Sequence, residues 1–197
     1  MTMESSSAPP AELRFQTSWT VWGLTKGGDW QMNPIFAFTN LAEFWQHFNA
    51  MKTPSECGSI ELAIFRTGVE PDWEKEPCSQ GGRWSARLDR VSSNDSLDQA
   101  WINLLLGMVG GSLAGGKILG AAYSGKGQHS RRVAVWLCTR EKEEVLQIGN
   151  AIKDNLRTEL SDKDIGEMLF HDFDSGNKAF AVIANTGKRR TKTTAVE

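Results

Sequence analysis

Seven stretches of this chain read as β-strands and only three as helices, and their order along the chain limits the fold more than any other feature. The strand-like runs are 19–24, 59–66, 82–89, 117–123, 132–139, 167–173 and 178–183, rich in β-branched and aromatic residues and bounded by turn residues. Helical spacing appears first after Asn40, an N-cap candidate with Glu43 three residues on, where Leu41, Phe44, Trp45 and Phe48 share one face. Leu97, Trp101, Leu104, Leu105 and Met108 form a second stripe behind Asp95 and Ser96. Val145, Ile148, Ile152 and Leu156 form a third, opened by Glu141, Glu143 and Glu144, acidic residues that suit a helix N-terminus. Strands follow strands without strict β-α alternation. This predicts an α+β fold, a largely antiparallel sheet with helices packed on one face and the other face open to solvent or ligand.

The 197 residues suffice for one well-buried domain and are short for two. Residues 1–12, with Ser5-Ser6-Ser7-Ala8-Pro9-Pro10, read as a flexible tail. Residues 187–197, carrying Lys188, Arg189, Arg190 and Lys192, read as a basic one. One domain is expected over 13–186. A net charge of −2 excludes a uniformly basic nucleic-acid coat but leaves room for a local basic patch. Cys57, Cys78 and Cys138 are far apart and odd in number, which gives neither a disulfide framework nor a zinc site. The N-terminal segment lacks the basic start and apolar stretch of a signal peptide, and no apolar run is long enough to span a bilayer. A reduced, intracellular protein is the expectation.

Catalytic patterns are weak. Gly111–Lys117 has the spacing of a phosphate loop, but Ile118 stands where Ser or Thr should hold magnesium, and the segment leads from a helix into a strand, the reverse of the required order. His47, His129 and His171 fall in separate elements, and no serine lies in a nucleophile signature. The unusual number is aromatic: eight Trp and nine Phe against one Tyr, more indoles than a core of this size needs. Trp30, in Gly27-Gly28-Asp29-Trp30-Gln31, and Trp73, in Glu70-Pro71-Asp72-Trp73-Glu74, sit in turn-rich segments. They either fold back onto the core or face a ligand. Arg83, Ser85 and Arg87 alternate with Trp84, Ala86 and Leu88, so the arginines point to the open face of the sheet. Arg132, Ala134 and Trp136 share a face likewise. Loop indoles with arginines on one face suit a stacked base and its phosphates, or else an ordinary solvated surface.

An ordered set of motifs covers almost the whole domain. They are W-x-x-W at Trp19–Trp22, W-Q at Trp30-Gln31, F-W at Phe44-Trp45 and G-[IV]-E-P-x-W-E at Gly68–Glu74. G-G-R-W follows at Gly81–Trp84, W-x-x-x-L-L at Trp101–Leu106, [IV]-A-[IV]-W at Val133–Trp136 and I-G-x-x-x-K at Ile148–Lys153. This set resembles the messenger-RNA cap-binding translation initiation factor 4E family, and the eight tryptophans fall on the family's eight positions in order.

The resemblance implies a curved antiparallel sheet with three long helices on its convex face and the concave face open to ligand. It implies that Trp30 and Trp73 sandwich 7-methylguanine, that Glu74 accepts hydrogen bonds from the base, and that Trp136 touches the N7-methyl group. Arg83 and Arg132 match basic positions along the phosphate path, and either Lys126 or Arg131 supplies a further one. On the helical face, Trp45 with Leu41 and Leu106 matches the docking site of an initiation factor 4G-like scaffold or a 4E-binding repressor. The function implied is non-catalytic and needs no cofactor: a cytoplasmic, monomeric protein, not bound to membranes, that binds capped messenger RNA for translation initiation. The alternative is a divergent paralogue that represses or stores messenger RNA. The His-Pro that often precedes the first Trp in the family is absent, with Leu13 and Arg14 in its place.

Overall fold

A computed structural model describes residues 13–24, 32–56, 59–113, 116–126, 130–174 and 179–183. The expected tails, 1–12 and 187–197, lie outside the described residues, as do Trp30, Cys57 and His129. In chain order the elements are β1 (Arg14–Leu24), β2 (Met32–Asn40), α1 (Leu41–Phe48), β3 (Ser59–Arg66), β4 (Gly82–Arg87), α2 (Asn94–Val109), β5 (Ile118–Lys126), β6 (Arg132–Leu137), α3 (Lys142–Leu156), α4 (Asp162–Ile165), β7 (Met168–Asp172) and β8 (Ala179–Ile183). The strands form one curved sheet in the order β2-β1-β3-β5-β6-β4-β7-β8, antiparallel at every pairing.

Each long helix begins where its sequence favours a start. The Asn40 side chain accepts from the Glu43 N–H at 2.8 Å. The Glu43 carboxylate reaches back to the N–H and hydroxyl of Thr39, at 2.7 and 3.0 Å, and those bonds hold it below the usual carboxylate range. Ser93 caps α2 through the Ser96 N–H, earlier than the run behind Asp95 and Ser96 suggests, so Asp95 falls inside the first turn. α3 starts behind Glu141 with Glu143 and Glu144 in its first turn.

Alternation along the strands divides the core in two. Trp19 and Val21, Leu62 and Ile64, Trp84 and Ala86, and Val133, Val135 and Leu137 meet the helices in the main cluster. The residues between them point the other way: Trp22, Ala63, Phe65, Ala134 and Trp136 form a second, smaller cluster with Cys78 and Leu119. The open face is therefore not bare. It carries an apolar floor at its centre because the middle strands are apolar on both faces.

At Trp84 helix and sheet pack closely. The Trp84 indole N–H donates to the Val145 carbonyl at 2.9 Å. A Cβ at Gly149, one turn along α3, would lie 2.5 Å from the Trp84 ring. That accounts for the glycine in the I-G-x-x-x-K motif. The segment with phosphate-loop spacing joins α2 to β5, helix before strand, as its sequence predicts.

Candidate functional site

The loop between β3 and β4 leaves the sheet through Gly68, whose φ of 90° favours glycine. A chain of short-range bonds then shapes it. The Asp72 N–H donates to the Glu70 carbonyl at 2.8 Å, and the Glu74 N–H to the Asp72 carboxylate at 2.9 Å. Lys75 Nζ pairs with Glu70 and, at 3.6 Å, with Asp72, and the Glu70 carboxylate holds the ammonium above its usual range. The Cys78 thiol donates to the Glu70 carbonyl at 3.4 Å and roots the loop in the apolar floor. Burial pushes that thiol up to about 11, so it stays protonated. The turn built this way projects Trp73, which is 53% exposed, beside the exposed carboxylate of Glu74. Of the two readings open for this indole, the one in which it folds back onto the core is excluded.

Trp136 is the opposite case. It is 7% exposed, wedged between Phe65, edge-on at 5.3 Å, and Phe173 at 4.7 Å. Phe173 is fixed by its N–H donating to the Gly81 carbonyl. Arg83 pairs across the sheet with Trp136 on one side and His171 on the other, placing a guanidinium beside the indole and an imidazole beyond it on the next strand. Burial, with Arg83 and Arg132 nearby, holds His171 below its ordinary value. Nothing in the sequence around His171 marks it; its place opposite Arg83 comes from strand register alone. Arg132 is half-buried on the same face, opposite Arg87 on β4 and Ser124 on β5.

Arg131 is a correction. As a candidate for the phosphate path it would face the ligand, but it is 5% exposed on the helix side. Its guanidinium donates to the Val91 carbonyl at 3.1 Å and to Asn94 at 3.2 Å, and its N–H donates to Asp89 at 2.7 Å. Strand alternation requires this, since its neighbour Arg132 takes the open face. Lys126 ends β5 opposite Ser59, at the same strand end as Arg132; its side chain lies outside the described residues. Trp30 belongs to the connection between Leu24 and Met32, also outside them. Met32, the first described residue after it, packs on the apolar floor that holds Trp136.

On the opposite face Trp45 is half-buried, edge-on to Phe44 at 5.2 Å and to Phe48 at 5.9 Å. Leu41 and Leu106 are also half-buried against the main core, one on α1 and one on α2. The sheet thus separates Trp73, Glu74, Trp136, Arg83 and Arg132 from Trp45, Leu41 and Leu106. Among the described residues no cluster of His, Cys, Asp and Glu could hold a metal ion, and no helix is long and apolar enough to cross a membrane.

Known proteins share this architecture. A crystal structure of Ascaris suum eIF4E-3 in complex with an m7G cap superposes with a TM-score of 0.77 at 25% identity, over 88% of this chain and 98% of that one. A schistosome eIF4E complexed with m7GpppA and 4E-BP gives 0.70 at 25%, over 81% and 87%. Eukaryotic translation initiation factor 4E1 of Drosophila melanogaster is 33% identical over 147 residues, which is 71% of this chain and 56% of that protein. The 4E-1 factor of Zea mays is 32% identical over 138 residues, 66% of this chain and 61% of that protein. The chain thus spans less than two thirds of the length of these curated relatives. The family model described as Eukaryotic initiation factor 4E matches residues 14–182. With that match running from the first strand to the last, over the Trp73 loop and the basic face alike, this chain belongs to the eukaryotic initiation factor 4E family.

Proposed function

We propose that this chain binds the 7-methylguanosine cap of messenger RNA on the open face of its sheet and takes part in translation initiation in the cytoplasm, without catalysis. The observation that carries the proposal is Trp73, held out of the core by a braced turn with an unburied carboxylate directly after it. Methylation at N7 makes guanine cationic, so an indole face attracts it through the ring quadrupole as well as by stacking. Trp30 supplies the second face of the sandwich. Glu74, ionised, accepts from the donor edge of the base and complements its charge. Trp136 is 7% exposed, too little for a base to stack on it and enough for contact with a methyl group. Arg83 and Arg132 take the phosphates, with Lys126 at the far end of the same path; Arg131 has no part in it.

The helical face is proposed as the partner site. Trp45 with Leu41 and Leu106 forms a half-buried apolar surface that a helix of a 4G-like scaffold or a 4E-binding repressor would complete. The schistosome relative is complexed with a 4E-BP.

Titration of the intrinsic tryptophan fluorescence with 7-methyl-GTP and with GTP tests the cap reading. The methylated nucleotide is expected to bind about 100-fold more tightly, the equivalent of about 3 kcal/mol of cation–π and charge complementarity, and to quench the indoles as it stacks. Equal affinities would sink it.

A further inference from the structure

Arg87 and Arg132 stand directly opposite each other across β4 and β6 on the open face, and neither guanidinium has a hydrogen bond or ion pair among the described residues. Like charges in directly opposed positions repel, and the fold gains nothing from the pairing. Four residues back along β4, Arg83 opposes His171 of β7, again two groups of basic character. Ser85 lies midway. Its hydroxyl is buried without a protein partner, and so is the Nδ1 of His171. The charges that act on His171 come from Arg83 on β4 and Arg132 on β6, both cationic; β8 opposes it with Ala179. Asp172, the next residue along β7, is paired with Arg140.

This is a strip rather than a point. At the rise of a strand, Arg83 to Arg87 spans about 13 Å, with a polar or cationic group at each alternate residue. It starts beside Trp136 and runs away from that indole toward the strand ends that carry Arg132 and Lys126. A ligand matching it is a chain of anions, one end of which begins where the base is held. We propose that Ser85, Arg87 and His171 extend the phosphate path into a track for the sugar-phosphate backbone of the nucleotides that follow the cap. The Ser85 hydroxyl and a ring N–H of His171 donate to phosphate oxygens, and the Arg87–Arg132 repulsion is relieved by the anion between them. The assignment to capped RNA rests on the cap-binding reading above.

The test compares 7-methyl-GTP, a capped single-stranded hexanucleotide and the same hexanucleotide uncapped with a 5′-phosphate, on the wild-type chain, Arg87→Ala and Arg87→Lys. At low salt the capped hexanucleotide is expected to bind about tenfold more tightly than 7-methyl-GTP. Arg87→Ala should remove most of that gain, lower the salt slope by about 0.7 for each phosphate no longer neutralised, and weaken 7-methyl-GTP by a clearly smaller factor, through its distance from the phosphates that Arg132 holds. Arg87→Lys should keep most of the gain. Arg87 is exposed, so a melting curve should match wild type. No gain from the added nucleotides, or an equal loss of affinity for both capped ligands in Arg87→Ala, overturns the track. Should 7-methyl-GTP fail to bind at all, the cap reading falls and the uncapped hexanucleotide decides: Arg87-dependent binding supports the track, and its absence removes that too.

Discussion

Arg131 and Arg132 are adjacent in the chain and send their guanidiniums to opposite sides of the sheet. Arg131 closes the helix side, donating to the Val91 carbonyl at 3.1 Å and to Asn94 at 3.2 Å, while Arg132 joins Arg83 and Trp136 on the open face. One is part of the fold and the other is free to meet a ligand, although they are adjacent residues of the same type.

Their alanine variants should therefore separate stability from binding. Arg131→Ala leaves a buried carbonyl without its donor and should destabilise by about 1–3 kcal/mol, with affinity of the folded fraction for 7-methyl-GTP unchanged. Arg132→Ala should leave the melting temperature nearly unmoved, weaken 7-methyl-GTP more than the bare nucleoside, and flatten the salt dependence. Calorimetry and titration of both variants check the pair. A large melting shift in Arg132→Ala, or equal weakening of nucleotide and nucleoside, would place Arg132 in the fold instead.

The same alternation shows how much of the site is legible in the sequence. Counting in twos from Trp84 and Ala86 places Arg83 and Arg87 on the open face, and the count holds. Applied to Val133 and Val135 it also places Arg131 with the core, a signal present in the sequence but outweighed by the loop around it. The α1 cap at Asn40 is readable because Glu43 follows at the right distance. β2 is not: Met32–Asn40 contains Pro34, which argues against a strand, and only its place at the sheet edge makes the proline tolerable. The first residues of β1 and the short α4 escape detection for lack of any periodic apolar run. The burial of Trp136 depends on Phe65 and Phe173, brought together from distant parts of the chain, and no local pattern announces that.

Gly149→Ala tests the close contact of α3 with the sheet. The added carbon would lie 2.5 Å from the Trp84 ring and 2.7 Å from the Ile183 side chain, so α3 or the indole must shift. Overpacking of this kind costs about 1–3 kcal/mol, despite the better helix propensity of alanine. The melting temperature should fall by about 2–4 °C for each kcal/mol. A rise would mean that α3 leaves room for a methyl group above the indole.

His171 gives the stability a pH dependence whose sign follows from its surroundings. Burial first, then Arg83 and Arg132, hold its folded pKa below the ordinary value of about 6.5. Between the unfolded value and the lower folded one, the unfolded chain binds more protons. This contribution is thus complete above the unfolded pKa and is lost as pH falls through the window. Lowering pH from about 7.5 to 5.5 should depress the wild-type melting temperature more than that of His171→Gln. Identical slopes would show that the imidazole titrates as in the unfolded chain.

The two faces of the sheet should answer independently, because Trp73 stands on a loop rooted in the open-face cluster and Trp45 on a helix packed on the main core. Trp73 is 53% exposed and touches little of the core, so Trp73→Ala should fold normally. It should also lose retention on a cap resin, since one wall of the stacking platform is gone, while a partner peptide still binds. Trp45 packs edge-on against Phe44 and Phe48, so Trp45→Ala should lower the melting temperature as well as abolish peptide binding. Its cap affinity should change by less than about 1 kcal/mol, the scale of a remote substitution. Cap retention, peptide titration and a melting curve on each variant give the full comparison. A Trp45→Ala protein that is folded at the assay temperature yet no longer holds cap would show that the faces are coupled through the sheet, and that the helical surface does more than dock a partner.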